Sequence, residues 1–360
     1  MDTYIFGAHS RGRTTAAYLK ELNEGLSIVT FLYDNDEENE SYIGSVPVLD
    51  IRENCELDTS CPVYVATRGV YHDGISEHLR EIGFTDIRPV TVKLDTELRT
   101  EYMKKIYAKR GWMFRKIEEC ANKNETSATK KNGHIFEVRS IYDKPLERDS
   151  YIKKPYETSV QVGAALTDER LSECVYYDNE GDNISETNRQ MCETTAIYWM
   201  WKNITEDYLG LVHYRRHFLL PNDWLDRMVD NNIDMILPVP MYLEPSIAEN
   251  FKFRHVASDW DILMGVIRSE SESDGKAADE CFGDTIFFPC NMFVMKKEIL
   301  DDYCKWAFNI LFKVTEQVGT REDIYQNRYP AFMAERLLNL YTYIHRDELN
   351  IVYADKNFLM

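Results

Sequence analysis

Nowhere does the chain approach the roughly 18–20 consecutive apolar residues that a membrane-spanning helix needs. Its eight cysteines, at 55, 61, 120, 174, 192, 281, 290 and 304, form no CxxC pair and show no metal-ligand spacing. Positive charge is also in deficit. With a formal net charge of −19, the field of the whole chain repels phosphate, which argues against nucleic acid or an anionic membrane as a general partner. A basic pocket in such a chain would read as a site. No signal peptide is visible, because Gly7, His9 and Arg11 interrupt the apolar start. The thiols are therefore expected to be reduced, in a cytoplasmic protein. There is no internal repeat. What remains is 360 residues of ordinary globular composition, enough for two domains with substantial cores.

Taken in order, Thr3–Phe6 reads as a strand running into a glycine turn and a helix to about Glu24. Ser27–Leu32 is a second strand, Pro62–Ala66 another, and Ile87–Val90 a further one; a helix over Asp73–Ile82 closes on Gly83. Strands alternating with helices predict a small Rossmann-like parallel sheet over residues 1–94. Its turn, Gly7 to Arg13, has glycine at the first and last places of the dinucleotide fingerprint, but His9 stands where the backbone must approach a pyrophosphate. Gly7, Ser10, Arg11, Gly12 and Asp34 are the phosphate or nucleotide candidates, with Arg13 beside them. The alternative is a degenerate fold that keeps only its turn glycines. With IFGAHSRGR followed by FLYDND, this stretch resembles the small Rossmann-like sensor domains appended to sugar-modifying enzymes.

Residues 95–133 read as a helical, then polar, linker, and 134–360 as the second domain. Its centre is GDNISETNRQMCETTAIYWMWKNITEDYLGLVHYRRHF, from Gly181 to Phe218. A polar loop with Asp182, Asn183 and Ser185 leads to an amphipathic helix over Cys192–Lys202 and a buried strand over Tyr208–Val212. The strand exits into His213, Tyr214, Arg215, Arg216 and His217. Ligands of open α/β sheets sit beyond the carboxyl ends of strands, and two arginines there suggest an anion such as phosphate. Downstream, strands are expected at Ile233–Leu237, around Pro289 and at Asn350–Ala354, and long helices over Glu298–Val318 and Arg328–Tyr343. The acidic, serine-rich stretch 269–280 reads as mobile.

The motifs QVGAAL at Gln161, GDNIS at Gly181, ETTAIYWMWKN at Glu193, DYLGLVHYRRHF at Asp207, NMFVMKKEILDDYC at Asn291 and AERLLNLY at Ala334 carry a resemblance. Together they look like a domain-of-unknown-function family found among capsular and exopolysaccharide glycosyltransferases. The resemblance implies an α/β chain whose C-terminal domain has a GT-A-like, nucleotide-diphospho-sugar transferase fold. The implied reaction moves a hexose from a nucleoside-diphosphate sugar, such as UDP-galactose, to a saccharide acceptor. That acceptor could be lipid-linked, with peripheral contact at the inner face of the membrane. Family members usually carry His-Lys-Pro after the opening strand; this chain has Ser140 to Pro145, SIYDKP, there. A non-catalytic nucleotide- or sugar-binding scaffold is the alternative from a different class.

Glycosyl transfer needs a stabilised leaving diphosphate, an oriented sugar and, in an inverting enzyme, a base. Many GT-A enzymes hold a metal with Asp-x-Asp at a strand end, where this chain has His213-Tyr214-Arg215-Arg216. Arg215 and Arg216 are expected to take over that electrostatic role, and Glu335 is the candidate base. Gly181, Asp182, Asn183, Ser185, His213, Tyr214, Asn291 and Arg336 are the substrate-binding candidates. Bland alternatives stand beside them: an Asx-turn at Asn183, a buried ion pair at Glu335 and Arg336, and stacking or satisfied histidines at His213, His217 and His255. Glu193 either favours a helix dipole or faces substrate. The one literal Asp-x-Asp of this half, Asp259-Trp260-Asp261, is expected to open a helix with Ser258 and Asp261 at cap spacing. No metal ligand is assigned, and a Mn or Mg requirement stays open.

Overall fold

The computed structural model describes residues 1–53, 56–122, 131–147 and 151–359. Cys55 and most of the polar linker expected at Asn122–Gly133 lie outside these residues. The chain divides into two compact units, Met1–Phe114 and Arg115–Met360.

The first unit runs β1 (Asp2–Phe6), α1 (Ser10–Leu22), β2 (Ser27–Tyr33), β3 (Tyr42–Ile43), β4 (Val46–Asp50), β5 (Val63–Val65), α2 (His72–Ile82), β6 (Ile87–Pro89) and α3 (Val92–Lys109). Its sheet has the order β3-β4-β2-β1-β5-β6, parallel except for β3 on β4. Alternation along β1 sends Ile5 to a cluster with Ala16 and Leu19 of α1, and Tyr4 and Phe6 to another with Leu79 of α2. Helices therefore cover both faces. α3 begins at a Thr91 cap and sets Leu94 and Leu98 against the α1 side, so residues the sequence reading gave to a linker are part of this unit. The close approach of α1 to β1 requires Gly12, where an added Cβ would lie 1.8 Å from the Gly7 carbonyl oxygen. Around that turn, Arg11 donates to the Thr67 carbonyl at 2.5 Å, and His78 pairs with Asp34 at 3.1 Å. Arg13 pairs with Glu40 at 3.0 Å, and Ser10 is exposed on the first turn of α1. Gly7 and Gly12 thus serve the packing of the turn itself.

The second unit runs β7 (Gly133–Arg139), β8 (Glu157–Gln161), β9 (Cys174–Tyr177), α4 (Asn188–Met191), α5 (Thr194–Asn203), β10 (Tyr208–His213), α6 (Trp224–Asp230), β11 (Met235–Pro238) and β12 (Met241–Tyr242). It continues with α7 (Ile247–Arg254), α8 (Ala257–Glu270), α9 (Glu272–Gly283), β13 (Ile286–Phe287), β14 (Phe293–Lys296), α10 (Lys297–Val318), α11 (Tyr329–Ile344) and β15 (Ile351–Ala354). The main sheet has the order β15-β11-β14-β10-β7-β8-β9, with β14 antiparallel to both neighbours and the other pairings parallel. Both faces are dry. Ile135, Val212, Ile236 and Val294 meet Trp224 and Met228 of α6 on one face. On the other, Phe136 packs edge-on to Trp199 of α5 and Phe293 to Tyr303 of α10. Each fully buried Leu or Phe here contributes about 1.5–3 kcal/mol relative to exposure.

Two expectations change. The stretch 269–280, read as mobile, is helical: it spans the end of α8 and most of α9, which Ser271 caps by accepting from Asp274 N at 3.2 Å, and Trp306 Nε1 donates to Asp274 Oδ2 at 3.0 Å. A favourable cap and the burial of Ala278, Cys281 and Phe282 outweigh the polar composition. The segment around Pro289 is two strands in different sheets, since β13 pairs with β12 while β14 enters the main sheet. Because β14 is antiparallel, with Leu211 opposite Phe293, the residues just before it lie beside the carboxyl end of β10. That register brings Cys290 and Asn291 to His213.

Candidate active site

The exit of β10 is a tight hairpin. His213 N donates to Arg216 O at 3.0 Å and Arg216 N to His213 O at 2.9 Å, leaving Tyr214 and Arg215 at the tip. Neither tip residue has positive φ, so this is not one of the primed turns whose twist suits a hairpin unaided. A second strand-like segment holds it. Asn357 N donates to His217 O at 3.0 Å, His217 N to Asn357 Oδ1 at 2.7 Å, and Leu359 N to Arg215 O at 2.8 Å.

The two arginines are not equivalent. Arg215 directs Nη2 to the carbonyls of Lys144 and Pro145, at 3.1 and 3.2 Å, and so anchors the loop after β7. Arg216 is half-buried, and among the described residues its guanidinium has no hydrogen-bond acceptor or carboxylate partner; it lies 5.1 Å from the centre of the Phe358 ring. Tyr214 stands between the guanidiniums of Arg139 and Arg215, 5.6 and 5.1 Å from its ring centre. His213 donates from Nε2 to the Cys290 carbonyl at 2.6 Å, which fixes its tautomer, and burial pushes its pKa down to about 4. It is a neutral support. His217 is buried, stacked 3.6 Å from the Tyr151 ring centre and paired with Glu157 at 3.2 Å.

Facing the hairpin is a strained turn. Cys290 and Asn291 have φ of 76° and 49°, the left-handed region that costs a non-glycine residue about 1–3 kcal/mol. The surroundings over-determine it. Glu335 Oε1 accepts from Cys290 N at 2.6 Å, and Asn339 accepts from Phe288 N at 2.9 Å. Asn291 Nδ2 donates to Glu193 Oε1 at 2.8 Å and to Ala331 O at 3.3 Å. Asn291 is wholly buried, so it supports the site and does not face a ligand. The Glu335 side chain is 19% exposed, with Oε2 accepting from Arg336 Nη1 at 2.8 Å. Arg336 is itself buried, with the Phe287 and Phe251 rings at 4.7 and 5.3 Å. It therefore serves as the counter-ion of Glu335 and does not reach outward. Burial raises the Glu335 pKa; Arg336 opposes and Glu193 adds to the rise. Burial also raises Glu193, against the hydrogen bond from Asn291 and the charges of Arg328 and Arg216.

Sequence reasoning missed two residues. Arg328, just ahead of α11, lies near Glu193 and donates from Nε to Cys192 Sγ at 3.0 Å. Burial pushes the thiols of Cys192 and Cys290 up to about 11, so neither is a nucleophile at neutral pH. Asp178 is completely buried and accepts from Gly163 N and Ala164 N, both at 3.0 Å, from Ser185 Oγ at 2.5 Å and from Thr195 Oγ1 at 2.6 Å. It ties the loop after β8 to the start of α5. An acid followed by Asn-Glu-Gly-Asp gives no signal that singles it out.

The GDNIS loop turns inward on the protein. Ser185 is buried on Asp178 and Ala165 N. Asn183 accepts from Ser185 N at 3.2 Å, an Asx-turn. Asp182 exchanges hydrogen bonds with Asn203 at the end of α5, at 3.1 and 2.8 Å. Gly181 has φ of 63°, and a Cβ there would sit 2.0 Å from Asn203 Oδ1. Ser185 and Asn183 thus spend side-chain hydrogen bonds on the loop itself, and Asp182 is held through its backbone.

Helix α8 starts at Ala257, so the expected Ser258 cap is absent. Asp259 is buried and ion-paired with Arg321, while Asp261 is exposed. His255 stacks 4.2 Å from the Phe332 ring centre, and burial pushes its pKa down to about 4. Among the described residues no three His, Cys, Asp or Glu side chains converge as metal ligands, and no helix is long and apolar enough to cross a membrane. Asp259→Asn is expected to cost about 1.5–3 kcal/mol of stability, read by denaturant unfolding. EDTA should not reproduce that loss; if it does, the pair holds a metal.

A parallel sheet with one antiparallel strand inserted, and a polar rim at its carboxyl end, is a GT-A-like glycosyltransferase fold. Residues 141–346 match the profile of DUF4422, a domain of unknown function, and the chain belongs to that family. Among solved structures it is similar to the apo form of the bifunctional glycosyltransferase WbbM. That match has 24% identity and a TM-score of 0.54, covering 63% of this chain and 45% of that one. The chain thus spans less than half of the WbbM chain. A second similarity is to core-mannan synthase A from Aspergillus fumigatus in its Mn/GDP form, with 14% identity and a TM-score of 0.31, covering 68% and 79%. No curated protein matches the chain.

Proposed function

We propose that the chain is a glycosyltransferase that moves a hexose from a UDP-sugar, UDP-galactose among the candidates, to a saccharide acceptor in capsular or exopolysaccharide assembly. The observation that carries this reading is Arg216, a half-buried guanidinium without an acceptor among the described residues at the carboxyl rim of a GT-A-like sheet, with the Glu335 carboxylate in the same cluster. In this reading the acceptor hydroxyl oxygen attacks the anomeric carbon as the bond from that carbon to the diphosphate oxygen breaks. UDP departs with the electron pair, stabilised by Arg216. Glu335 takes the hydroxyl proton. Arg215 and Tyr214 shape the hairpin that presents Arg216.

The test is UDP release from a panel of UDP-hexoses, with and without saccharide acceptors, in manganese and in EDTA. Release that depends on an acceptor, with a new glycoside in the product, supports the transferase. UDP binding with no release for any donor and acceptor pair would instead favour a non-catalytic nucleotide-binding protein.

A further inference from the structure

Asn291 has no exposed surface, and both hydrogens of its amide are in use, one on Glu193 Oε1 and one on Ala331 O. The Ala331 carbonyl can only accept, which fixes the amide's orientation, because a flipped side chain would set oxygen against oxygen. Asn291 Oδ1 is then sealed from solvent and has no donor among the described residues. Neither water nor a substrate hydroxyl reaches it without moving the strained turn. Its partner has to be a proton already inside the cluster.

Among the described residues, the titratable and charged groups that bear on Glu193 and its neighbours are few. They are Arg328 ahead of α11, Arg216 from the hairpin, Glu335 from α11, and the neighbouring thiols Cys192 and Cys290. None of them makes a hydrogen bond to Asn291 Oδ1. A proton on Glu193 does what they do not. A carboxylic acid facing a primary amide accepts from Nδ2 and donates to Oδ1, two hydrogen bonds where an ionised carboxylate makes one. We propose that Glu193 is held as a neutral carboxylic acid paired face to face with Asn291, leaving the charges of Arg216 and Arg328 free for the diphosphate. The role for the arginines rests on the transferase reading; the protonation does not.

Glu193 is on this account a positioning residue. An ionised carboxylate near the two arginines would compete with the substrate's phosphates for them, whereas the neutral acid fills the space without that competition. The direction of its pKa agrees: burial raises it against both arginines. A carboxyl whose folded pKa lies above its unfolded value of about 4.3 stabilises the fold fully below that value. The contribution is lost as pH rises through the folded pKa.

Infrared difference spectra of wild type and Glu193→Gln at pH 7 read the protonation state directly. The expected result is a neutral-acid carbonyl band in wild type, absent in Glu193→Gln and retained in Glu335→Gln. Glutamine offers a carbonyl and an N–H in the same places, so the Tm of Glu193→Gln should stay within about 2 °C of wild type. A carboxylate band assigned to Glu193, or a neutral-acid band lost in Glu335→Gln instead, overturns the proposal. If Glu193→Gln does not fold, carboxyl carbon NMR of glutamate-labelled wild type and Glu335→Gln settles the same point. A glutamate still neutral at pH 7 in both supports it, and none overturns it. A neutral Glu193 in a protein that turns over no nucleotide sugar would sink the transferase reading and leave this one standing.

Discussion

Glu335→Gln is expected to lower kcat for glycosyl transfer by roughly 10²–10⁴-fold, the range that a general base contributes, while UDP still stabilises the variant. Glutamine keeps an oxygen for Cys290 N, so the strained turn retains its hydrogen bond. It removes the charge opposite Arg336, a buried guanidinium. Breaking such a pair from one side costs roughly 3–5 kcal/mol, softened here by the two aromatic rings that flank Arg336. Tm and the UDP-induced shift therefore have to be measured beside kcat. A folded variant that binds UDP and turns over at the wild-type rate would remove Glu335 from the chemistry. The pH dependence gives a second check. A base works when ionised, so wild-type kcat should rise with pH through the pKa of Glu335, which burial places above the usual glutamate value. The same raised pKa contributes stability below the unfolded value of about 4.3, and that contribution is lost as pH rises through the folded one. Turnover should therefore increase in the pH range where this contribution to stability falls.

The sequence showed the scaffold more fully than the site, for a physical reason. Periodicity and turn residues are local, and they mark β10, α5, α10 and the Gly83 cap of α2 without knowledge of the fold. The arginine pair at the strand exit was legible for the same reason, since adjacent charges after a buried run are a local anomaly. Which arginine is available was not legible. Arg215 is occupied because the loop after β7 presents the Lys144 and Pro145 carbonyls to it, a contact between segments about 70 residues apart. Glu193, Asn291, Arg328 and Glu335 come from segments brought together only by the antiparallel insertion of β14 and the packing of α11. The GDNIS loop was ambiguous in sequence. Small polar residues beside glycine suit a ligand and an Asx-turn equally, and the bond that buries Ser185 comes from Asp178, itself unremarkable in sequence.

Arg216→Ala is expected to remove half or more of the stabilisation that UDP gives to the wild type. A ligand at a hundredfold over its dissociation constant adds about 2.7 kcal/mol to folding, several degrees in Tm for a unit of this size. A charge-assisted hydrogen bond to a phosphate contributes about 1.5–3 kcal/mol, or roughly 10–150-fold in Kd. At a UDP concentration a hundredfold over the wild-type dissociation constant, roughly half to nine-tenths of the shift should therefore disappear. The fold itself should barely respond, because among the described residues the Arg216 guanidinium has no hydrogen bond to lose, and its contact with Phe358 is at the surface of the hairpin. Arg215→Ala should behave in the reverse way. It releases the Lys144 and Pro145 carbonyls, loosens the loop after β7 and lowers Tm without ligand, while a UDP shift persists. This crossed pattern separates an anion-binding arginine from a loop anchor, which a double variant would blur. If UDP shifts the Tm of Arg216→Ala as much as that of wild type, the diphosphate does not bind at the β10 exit. The next arginine to test would be Arg328, the other cation that bears on the Glu193 carboxyl.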